Sequence, residues 1–271
     1  MTQPALDQSA MLGGLRFAYR EWPNPGAQAL VLLHGFTGHA RSWESFSQAM
    51  QANYHVYALD QRGHGDSAWT DDYSADAMVE DVQRWVTALG LKRFVLLGLS
   101  MGGRNAYQFA AQHPGEVERL VIVDIGPEIA SSGSTRIVSG VQANDIFASP
   151  EEAVAAGRAA NPRADEAELQ HRTRNNLMLL GDGTWTYKYD KALRTNRLPR
   201  PAAGDAWALL PKITAPTLLI RGELSDVLDE AVAERMLREI RDCTFALVPG
   251  SGHSIPLESP KGFLQVVRTF L

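Results

Sequence analysis

The stretch Phe94-Val95-Leu96-Leu97-Gly98-Leu99-Ser100-Met101-Gly102-Gly103 decides how this chain folds. Its apolar half is long enough for a buried strand, and the pattern resumes after Ser100 as a helix. Glycines on both sides of Ser100 allow a sharp turn from strand to helix, because no side chain holds the two apart. The hydroxyl then stands beside a helix amino terminus that favours negative charge. This is a nucleophile's position, although Gly-x-Ser-x-Gly also occurs by chance and a serine can simply cap a helix.

Size and charge restrict the function classes that need to be considered. A chain of 271 residues can form one large α/β domain with an inserted lobe. The formal net charge of -5, without a long run of one sign, argues against a nucleic-acid partner. No apolar run is long enough to cross a membrane, and residues 1–14 lack a signal-peptide pattern, so we expect a cytoplasmic protein. The single cysteine, Cys243, excludes an internal disulfide and a cysteine metal cluster.

Apolar runs alternate with amphipathic stretches in both halves of the chain. The predicted strands cover residues 15–20, 29–33, 54–59, 94–97, 120–123, 217–221 and 244–248. The predicted helices between and after them cover residues 42–51, 74–89, 229–240 and 260–271. Parallel neighbours require crossover connections, so this alternation predicts an α/β fold with a doubly wound, mostly parallel sheet. We assign residues 1–126 and 211–271 to this core domain.

The alternation stops between residues 127 and 210. This segment shows no strong strand pattern, and it contains predicted helices over residues 150–160 and 164–180. An aromatic stretch at residues 185–189 and a Pro/Arg-rich stretch from Arg197 to Pro201 follow. We therefore predict that residues 127–210 form a helical insertion in the core domain.

A serine hydroxyl needs a base to take its proton, and ligands of such sheets bind at the carboxyl ends of the strands. His253 follows the last predicted strand in a glycine-containing loop, and it is the best candidate for the base. The base needs an anion on its other ring nitrogen, and Asp226 lies in the loop after the preceding strand. Ser100, Asp226 and His253 follow the Ser–Asp–His chain order. Asp124 and Glu223 remain alternatives for the acid, and we favour Asp226.

Four motifs in this order resemble the α/β-hydrolase fold superfamily. They are His34-Gly35-Phe36, Asp60-Gln61-Arg62-Gly63-His64-Gly65-Asp66-Ser67, Gly98-Leu99-Ser100-Met101-Gly102-Gly103 and Gly252-His253. The resemblance covers nearly the whole chain outside the insertion. It implies that the backbone N–H groups of Phe36 and Met101 form the oxyanion hole. It also implies that the insertion is a helical cap that excludes water and selects the acyl group.

Other polar and aromatic residues lie near the same edge of the predicted sheet. His34 and His64 are more often loop histidines held by hydrogen bonds than catalytic groups, and Asp60 is expected to brace its loop. His34, Trp185 and Tyr187 are candidates for the substrate pocket, although the two aromatic residues fit a packed cap core equally well. No His-Glu-x-x-His pattern or second ligand pair is present, so we expect neither a metal nor a cofactor.

The resemblance favours a serine hydrolase that cleaves carboxylic esters of small molecules through an acyl-enzyme. Carbon–carbon bond hydrolases of this superfamily usually have an Asn before the nucleophile, where this chain has Leu99. A lyase of the menaquinone-pathway synthase type shares the His-Gly-Phe loop and the arginine matched by Arg104, but its acid loop usually reads Arg-Asp. A non-catalytic binding module is the least favoured reading. The sequence leaves open whether the protein is a monomer or a homodimer.

Overall fold

The structure, a computed structural model, describes residues 3–195 and 203–271. The Pro/Arg-rich stretch from Arg197 to Pro201 therefore lies outside the described residues. The strands are β1 (Leu6–Leu12), β2 (Leu15–Trp22), β3 (Gln28–Leu33), β4 (Tyr54–Leu59), β5 (Phe94–Leu99), β6 (Val117–Val123), β7 (Ile146–Phe147), β8 (Leu177–Leu179), β9 (Trp185–Tyr187), β10 (Thr217–Gly222) and β11 (Cys243–Val248). The helices are α1 (Glu44–Met50), α2 (Ala75–Ala88), α3 (Met101–Gln112), α4 (Ser131–Gln142), α5 (Pro150–Ala160), α6 (Glu166–Asn175), α7 (Ala192–Thr195), α8 (Ala203–Leu209), α9 (Glu230–Glu239), α10 (Ile255–Glu258) and α11 (Pro260–Phe270).

The described core contains one eight-stranded sheet in the order β1-β2-β4-β3-β5-β6-β10-β11. All neighbours from β4 to β11 are parallel, whereas β1–β2 and β2–β4 are antiparallel. This arrangement confirms the predicted doubly wound, mostly parallel sheet. β1 was not expected from the sequence, because most of its residues are exposed and give no apolar run. It pairs with β2 across the Gly13–Gly14 turn, where both glycines have positive φ.

Helices cover both faces of the sheet, which explains the continuous apolar runs of the central strands. Alternate residues of β3, such as Val31 and Leu33, pack in a cluster with Val82 and Trp85 of α2. The residues between them pack in a second cluster on the opposite face, with Phe46 of α1 and Phe263 and Val267 of α11. Side-chain caps mark the starts of α2, α5 and α6: the Ser74 side chain, for example, accepts a hydrogen bond from the backbone N–H of Ala77.

The sequence predicts a helical insertion at residues 127–210, but the structure shows strands there as well as helices. In its described part, β7, β9 and β8 form a three-stranded antiparallel sheet. The helix predicted over residues 164–180 is divided into α6 and β8, because the chain leaves the helix at Asn176 and pairs with β9. α4 was also missed, because its sequence is rich in Ser and Gly, which are poor helix formers.

Strand register brings the carboxyl ends of the central strands together. Gly98 of β5 lies opposite Leu33 of β3, and Leu99 lies opposite Val123 of β6. Ile220 of β10 in turn pairs with Val123. The residues that follow these strands therefore meet at one edge of the sheet. Among the residues that the structure describes, no helix is both long and apolar enough to cross a membrane.

Candidate active site

Ser100 occupies a tight turn between β5 and α3. Its backbone has φ 54° and ψ −117°, a conformation that non-glycine residues rarely adopt. A side chain at Gly98 would place its Cβ 2.2 Å from the carbonyl oxygen of Gly102, so glycine is required for the close approach of strand and helix. The turn holds the Ser100 hydroxyl at the carboxyl end of the sheet, next to the first turn of α3.

The imidazole of His253 reaches this hydroxyl from the loop after β11. Its Nε2 lies 2.9 Å from the Ser100 Oγ, and its Nδ1 lies 2.8 Å from Oδ2 of Asp124. A carboxylate can only accept, so the proton of a neutral imidazole belongs on Nδ1. Nε2 is then free to accept a hydrogen bond from the serine hydroxyl. The three side chains form a continuous hydrogen-bonded chain from nucleophile to carboxylate.

The carboxylate in this series of hydrogen bonds is Asp124. The sequence predicts Asp226 in this position, but the structure pairs Asp226 with Arg136 and not with His253. Asp124 follows β6, has φ 52° and is completely buried. Besides His253, its carboxylate accepts hydrogen bonds from the backbone N–H of Gly222 at 3.0 Å and from the Ser225 hydroxyl at 2.5 Å. These three contacts engage both oxygens of the carboxylate.

Asp226 instead faces the insertion. Its carboxylate accepts hydrogen bonds from Nε and Nη2 of Arg136 on α4, at 2.6 and 2.8 Å. These hydrogen bonds lower the pKa of Asp226. The sequence could not separate the two carboxylates, because the loops after β6 and β10 end at the same edge of the sheet. In the loop after β10, the residue that hydrogen-bonds Asp124 is Ser225 and not Asp226. Glu223, the other alternative, accepts a hydrogen bond from the backbone N–H of Gly250 at 2.7 Å.

The residues predicted for the oxyanion hole lie beside Ser100. Met101 is the first residue of α3, and the first four N–H groups of a helix have no partner within it. The loop after β3 approaches from the other side: a Cβ built on Gly35 would lie 3.4 Å from the Ser100 Cβ. Phe36 packs against a buried cluster that includes Met101. The predicted donors therefore border the nucleophile on two sides.

The glycine-loop histidines are held by backbone hydrogen bonds. Nδ1 of His34 bonds the carbonyl oxygen of Gly35 at 2.8 Å, and its Nε2 accepts from the N–H of Gln61 at 3.0 Å. His64 bonds the carbonyl oxygen of Arg62 through Nδ1 at 2.9 Å. Burial lowers the pKa of His34 well below its usual value and that of His64 to about 4, so both rings are neutral near pH 7.

Asp60 braces the same region. It accepts hydrogen bonds from the N–H groups of Ala40 at 2.5 Å and Asp66 at 2.9 Å, and burial raises its pKa to about 6. These contacts tie the loop after β4 to the turn after β3. Within residues 3–195 and 203–271, no three His, Cys, Asp or Glu side chains converge as metal ligands.

Comparison with known proteins identifies the family. A profile of the alpha/beta hydrolase family matches residues 30–266. The chain belongs to the alpha/beta hydrolase family. It is 30% identical over 258 residues to an sn-1-specific diacylglycerol lipase of Mus musculus, covering 90% of this chain and 80% of the lipase. With this family and a lipase relative, the protein is a hydrolase enzyme.

Two further similarities extend over almost the whole hydrolase. A Bacillus subtilis protein provisionally assigned as a 2-succinyl-6-hydroxy-2,4-cyclohexadiene-1-carboxylate synthase is 27% identical over 277 residues, covering 95% of each chain. The crystal structure of E-2-(acetamidomethylene)succinate hydrolase superposes with a TM-score of 0.90 at 24% identity, covering 98% of this chain and 99% of that chain. The superposition establishes the shared fold.

The aromatic residues predicted for the pocket have different surroundings in this hydrolase. Trp185 pairs with Phe147 across the small sheet of the insertion and packs in its core. Tyr187 stacks on Tyr189 with ring centroids 5.7 Å apart, and it also packs on the cluster that contains Phe36 and Met101. Both residues pack on the core of the insertion, and Tyr187 also packs on the cluster that contains Met101, the residue after Ser100.

Glu258 is a site residue that the sequence analysis missed. Its carboxylate accepts hydrogen bonds from the backbone N–H groups of Gly252 at 2.8 Å and Ser254 at 3.2 Å, the two neighbours of His253. Its side chain is only 6% exposed, and it also pairs with Arg163 of the insertion at 2.6 Å. The only sequence feature that could have indicated this role is the position of Glu258 five residues after His253. Glu258 holds the backbone on both sides of the imidazole.

Two cavities flank this region. One of about 590 Å³ lies against β1 and β2, is lined by charged side chains such as Asp7 and Arg41, and contains neither Ser100 nor His253. A smaller one borders the nucleophile's neighbour Leu99 and the His34–Gly35 loop, and is closed by residues of α6 and α10. His34, which was predicted as a pocket residue, borders this smaller cavity. Its ring is buried and held by the hydrogen bonds described above.

Proposed function

We propose that this hydrolase cleaves carboxylic esters of small molecules, with Ser100 as nucleophile, His253 as base and Asp124 as acid. The observation that carries the proposal is the chain of hydrogen bonds from Ser100 Oγ to His253 Nε2 and from His253 Nδ1 to Asp124 Oδ2, at 2.9 and 2.8 Å. The strained turn at Ser100 supports it, because such backbone strain persists mainly where function requires it. Asp124 replaces Asp226 in the role predicted from the sequence.

The reaction uses each group twice. Ser100 Oγ attacks the acyl carbon while its proton moves to Nε2 of His253, and Asp124 stabilises the resulting imidazolium. The imidazolium then gives this proton to the departing alcohol oxygen as the ester C–O bond breaks, which leaves an acyl-enzyme on Ser100. Water attacks the acyl carbon, its proton passes to His253, and the same proton returns to Ser100 Oγ when the carboxylic acid leaves.

Two backbone N–H groups stabilise the negative charge that develops on the acyl oxygen. We assign these to Phe36 and Met101, because the loop after β3 and the amino terminus of α3 meet beside Ser100. A helix amino terminus adds a favourable dipole at this point. Loss of one such donor costs about 3 kcal/mol of transition-state stabilisation in hydrolases of this kind.

Residues 127–210 act as a cap on the site. The described part of this segment contacts loops at the catalytic edge: the N–H of Asp165 donates to the carbonyl oxygen of Leu257 at 2.9 Å. Likewise, Nδ2 of Asn176 donates to the carbonyl oxygen of Thr37 at 2.9 Å. A cap in this position excludes water and selects the acyl group. Residues 1–126 and 211–271 then form the catalytic core domain.

A synthase-like lyase activity is the second candidate. The similarity to the Bacillus subtilis protein over 95% of both chains favours it, since such an enzyme would use the same serine and histidine as a base. Carbon–carbon bond cleavage ranks lower because Leu99 precedes the nucleophile. A binding module without chemistry ranks last, because it would not need the strained, fully hydrogen-bonded serine.

Labelling and turnover together test the proposal. The protein is incubated with a fluorophosphonate probe and with a 4-nitrophenyl acyl ester, alongside the variants Ser100→Ala and His253→Ala and the exposed control Ser9→Ala. We expect covalent labelling at Ser100 and turnover in the wild type and the control, and loss of both in Ser100→Ala. His253→Ala should lower turnover by at least a thousandfold. Labelling without ester turnover would favour the lyase, and an active Ser100→Ala would refute the assignment.

A further inference from the structure

Almost all described basic side chains of the insertion are paired with carboxylates. Every lysine and arginine that the structure describes in residues 127–210, with the exception of Arg172, lies in an ion pair with a carboxylate. Some of these pairs reach the core domain, such as Arg136–Asp226 and Lys188–Asp66. The side chain of Arg172 makes neither an ion pair nor a hydrogen bond with any residue in the described ranges. This is unexpected, because Arg172 is also partly buried.

Arg172 lines a cavity that borders the residue before the proposed nucleophile. Arg172 lies on α6, and its own carbonyl oxygen bonds Nε2 of His39 at 2.9 Å, which fastens this turn of the helix to the core. Its side chain lines the smaller cavity together with Leu99 and Gly35, which flank Ser100 along the chain and in space. Arg172 therefore lies where the insertion meets the His34–Gly35 loop, and its charge is close enough to help lower the pKa values of His34 and His39.

The surroundings leave the charge of Arg172 largely uncompensated. The nearby His34 and His39 are neutral near pH 7, because burial lowers the pKa of His34 well below its usual value and that of His39 to about 3. Glu168, one turn earlier on α6, also lines the cavity and attracts Arg172 electrostatically, but the two side chains do not form an ion pair. Burial lowers the pKa of Arg172 itself, as expected for a cation without a close partner.

We infer that Arg172 binds a carboxylate carried by the acyl part of the substrate, so that the enzyme prefers esters of dicarboxylic acids over neutral esters. This inference rests on the proposed ester hydrolysis at Ser100. A planar guanidinium matches a carboxylate with two parallel hydrogen bonds, and such charge-assisted pairs are stronger than neutral ones. The free space in the cavity is about 10 Å³, so α6 or the Arg172 side chain moves when the acyl group enters.

The inference also predicts how the enzyme rejects neutral substrates. When a substrate lacks the group that pairs with a buried charge, kcat/KM falls strongly. This loss is larger than the loss in an apolar pocket when the substrate lacks one methylene. A neutral ester would leave the guanidinium desolvated and unpaired beneath the cap. A carboxylate-bearing ester would pair with it while the acyl carbon is held at Ser100.

Matched pairs of esters test this inference. Monomethyl succinate, glutarate and adipate are each compared with the methyl ester in which a methyl group replaces the free carboxylate, and acid release is followed by titration at constant pH. The variants are Arg172→Gln, Arg172→Lys and the control Arg174→Gln, which lies on the same helix and pairs with the exposed Glu151. We expect Arg172→Gln to lower kcat/KM for the best anionic ester at least tenfold and to raise it for the neutral partner, which then no longer leaves a buried charge unpaired. Arg172→Lys should recover part of the loss, and Arg174→Gln should match the wild type.

Equal turnover of neutral and anionic esters by the wild type, or an equal loss for both in Arg172→Gln, would overturn the inference while leaving ester hydrolysis intact. Absence of turnover and of fluorophosphonate labelling would instead refute the proposed function. A binding measurement distinguishes a wrong role for Arg172 from a wrong proposed function. Calorimetry with Ser100→Ala should detect monomethyl succinate but not methyl butyrate, and the added Arg172→Gln change should abolish that binding. Unchanged binding in the double variant would also overturn the inference.

Discussion

Replacement of Asp124 by asparagine separates the two candidate acids. In the native site the Asp124 carboxylate receives three hydrogen bonds, from Gly222, Ser225 and His253. Oδ1 accepts from a backbone N–H, so the amide oxygen of asparagine takes this position and the amide NH₂ takes the position of Oδ2. The Ser225 hydroxyl already accepts hydrogen bonds from the N–H groups of Val227 and Leu228, so it loses the acceptor of its own proton. The substitution causes no steric change.

The same orientation reverses the hydrogen bond to His253. An NH₂ facing Nδ1 donates, so the imidazole carries its proton on Nε2 and can no longer accept the proton of Ser100. The negative charge that stabilises the imidazolium is also lost. We expect kcat to fall by about 10⁴-fold, the loss seen when a triad aspartate becomes asparagine, which corresponds to about 5.4 kcal/mol.

Asp226→Asn is the matched control. Its carboxylate is 33% exposed and its partner Arg136 is 47% exposed, so this ion pair contributes at most about 1 kcal/mol to stability. We expect kcat of Asp226→Asn to remain within threefold of the wild type. Both variants are assayed with a 4-nitrophenyl ester, and thermal unfolding checks that each is folded. A folded Asp124→Asn that keeps more than a tenth of the activity, with a large loss in Asp226→Asn, would refute the reasoning.

Two further perturbations test parts of the site outside the triad. Glu258→Gln should lower kcat about tenfold with little change in KM, because an amide can accept from only one of the two N–H groups beside His253; a changed KM at constant kcat would contradict this positioning role. The lowered pKa values of His39 (about 3) and His64 (about 4) mean that the unfolded chain binds more protons below pH 6.5. The two histidines therefore do not lower the free energy of unfolding above about pH 7. At pH 5 each of them lowers it by about 2 kcal/mol. The raised pKa of Asp60, about 6, acts in the opposite direction and offsets about 1 kcal/mol. Urea unfolding should show a net loss from pH 7 to pH 5, and an unchanged or rising free energy of unfolding would contradict these assignments.

In the insertion, sequence patterns predict one element correctly and fail for two others. α5 was predicted over residues 150–160 and lies at Pro150–Ala160, because Ser149 and Pro150 mark its start unambiguously. β8 and β9 are three residues each, too short for an alternating pattern to separate a strand from a helix end. Their strand conformation depends on pairing with each other, which is a tertiary contact.

Local chemistry along the chain was enough to predict the parallel sheet, the tight turn at Ser100 and the histidine that reaches its hydroxyl. Glycine spacing and apolar runs determine these features within a few residues. The sequence alone could not determine which carboxylate meets His253, since Asp124 and Asp226 both follow strands that end at one edge. Only the packed structure decides, because the Ser225 hydroxyl and the Gly222 N–H converge on Asp124 while Arg136 binds Asp226. The same holds for Arg172: only the structure shows that the other described lysines and arginines of the insertion have carboxylate partners and that Arg172 has none in the described ranges.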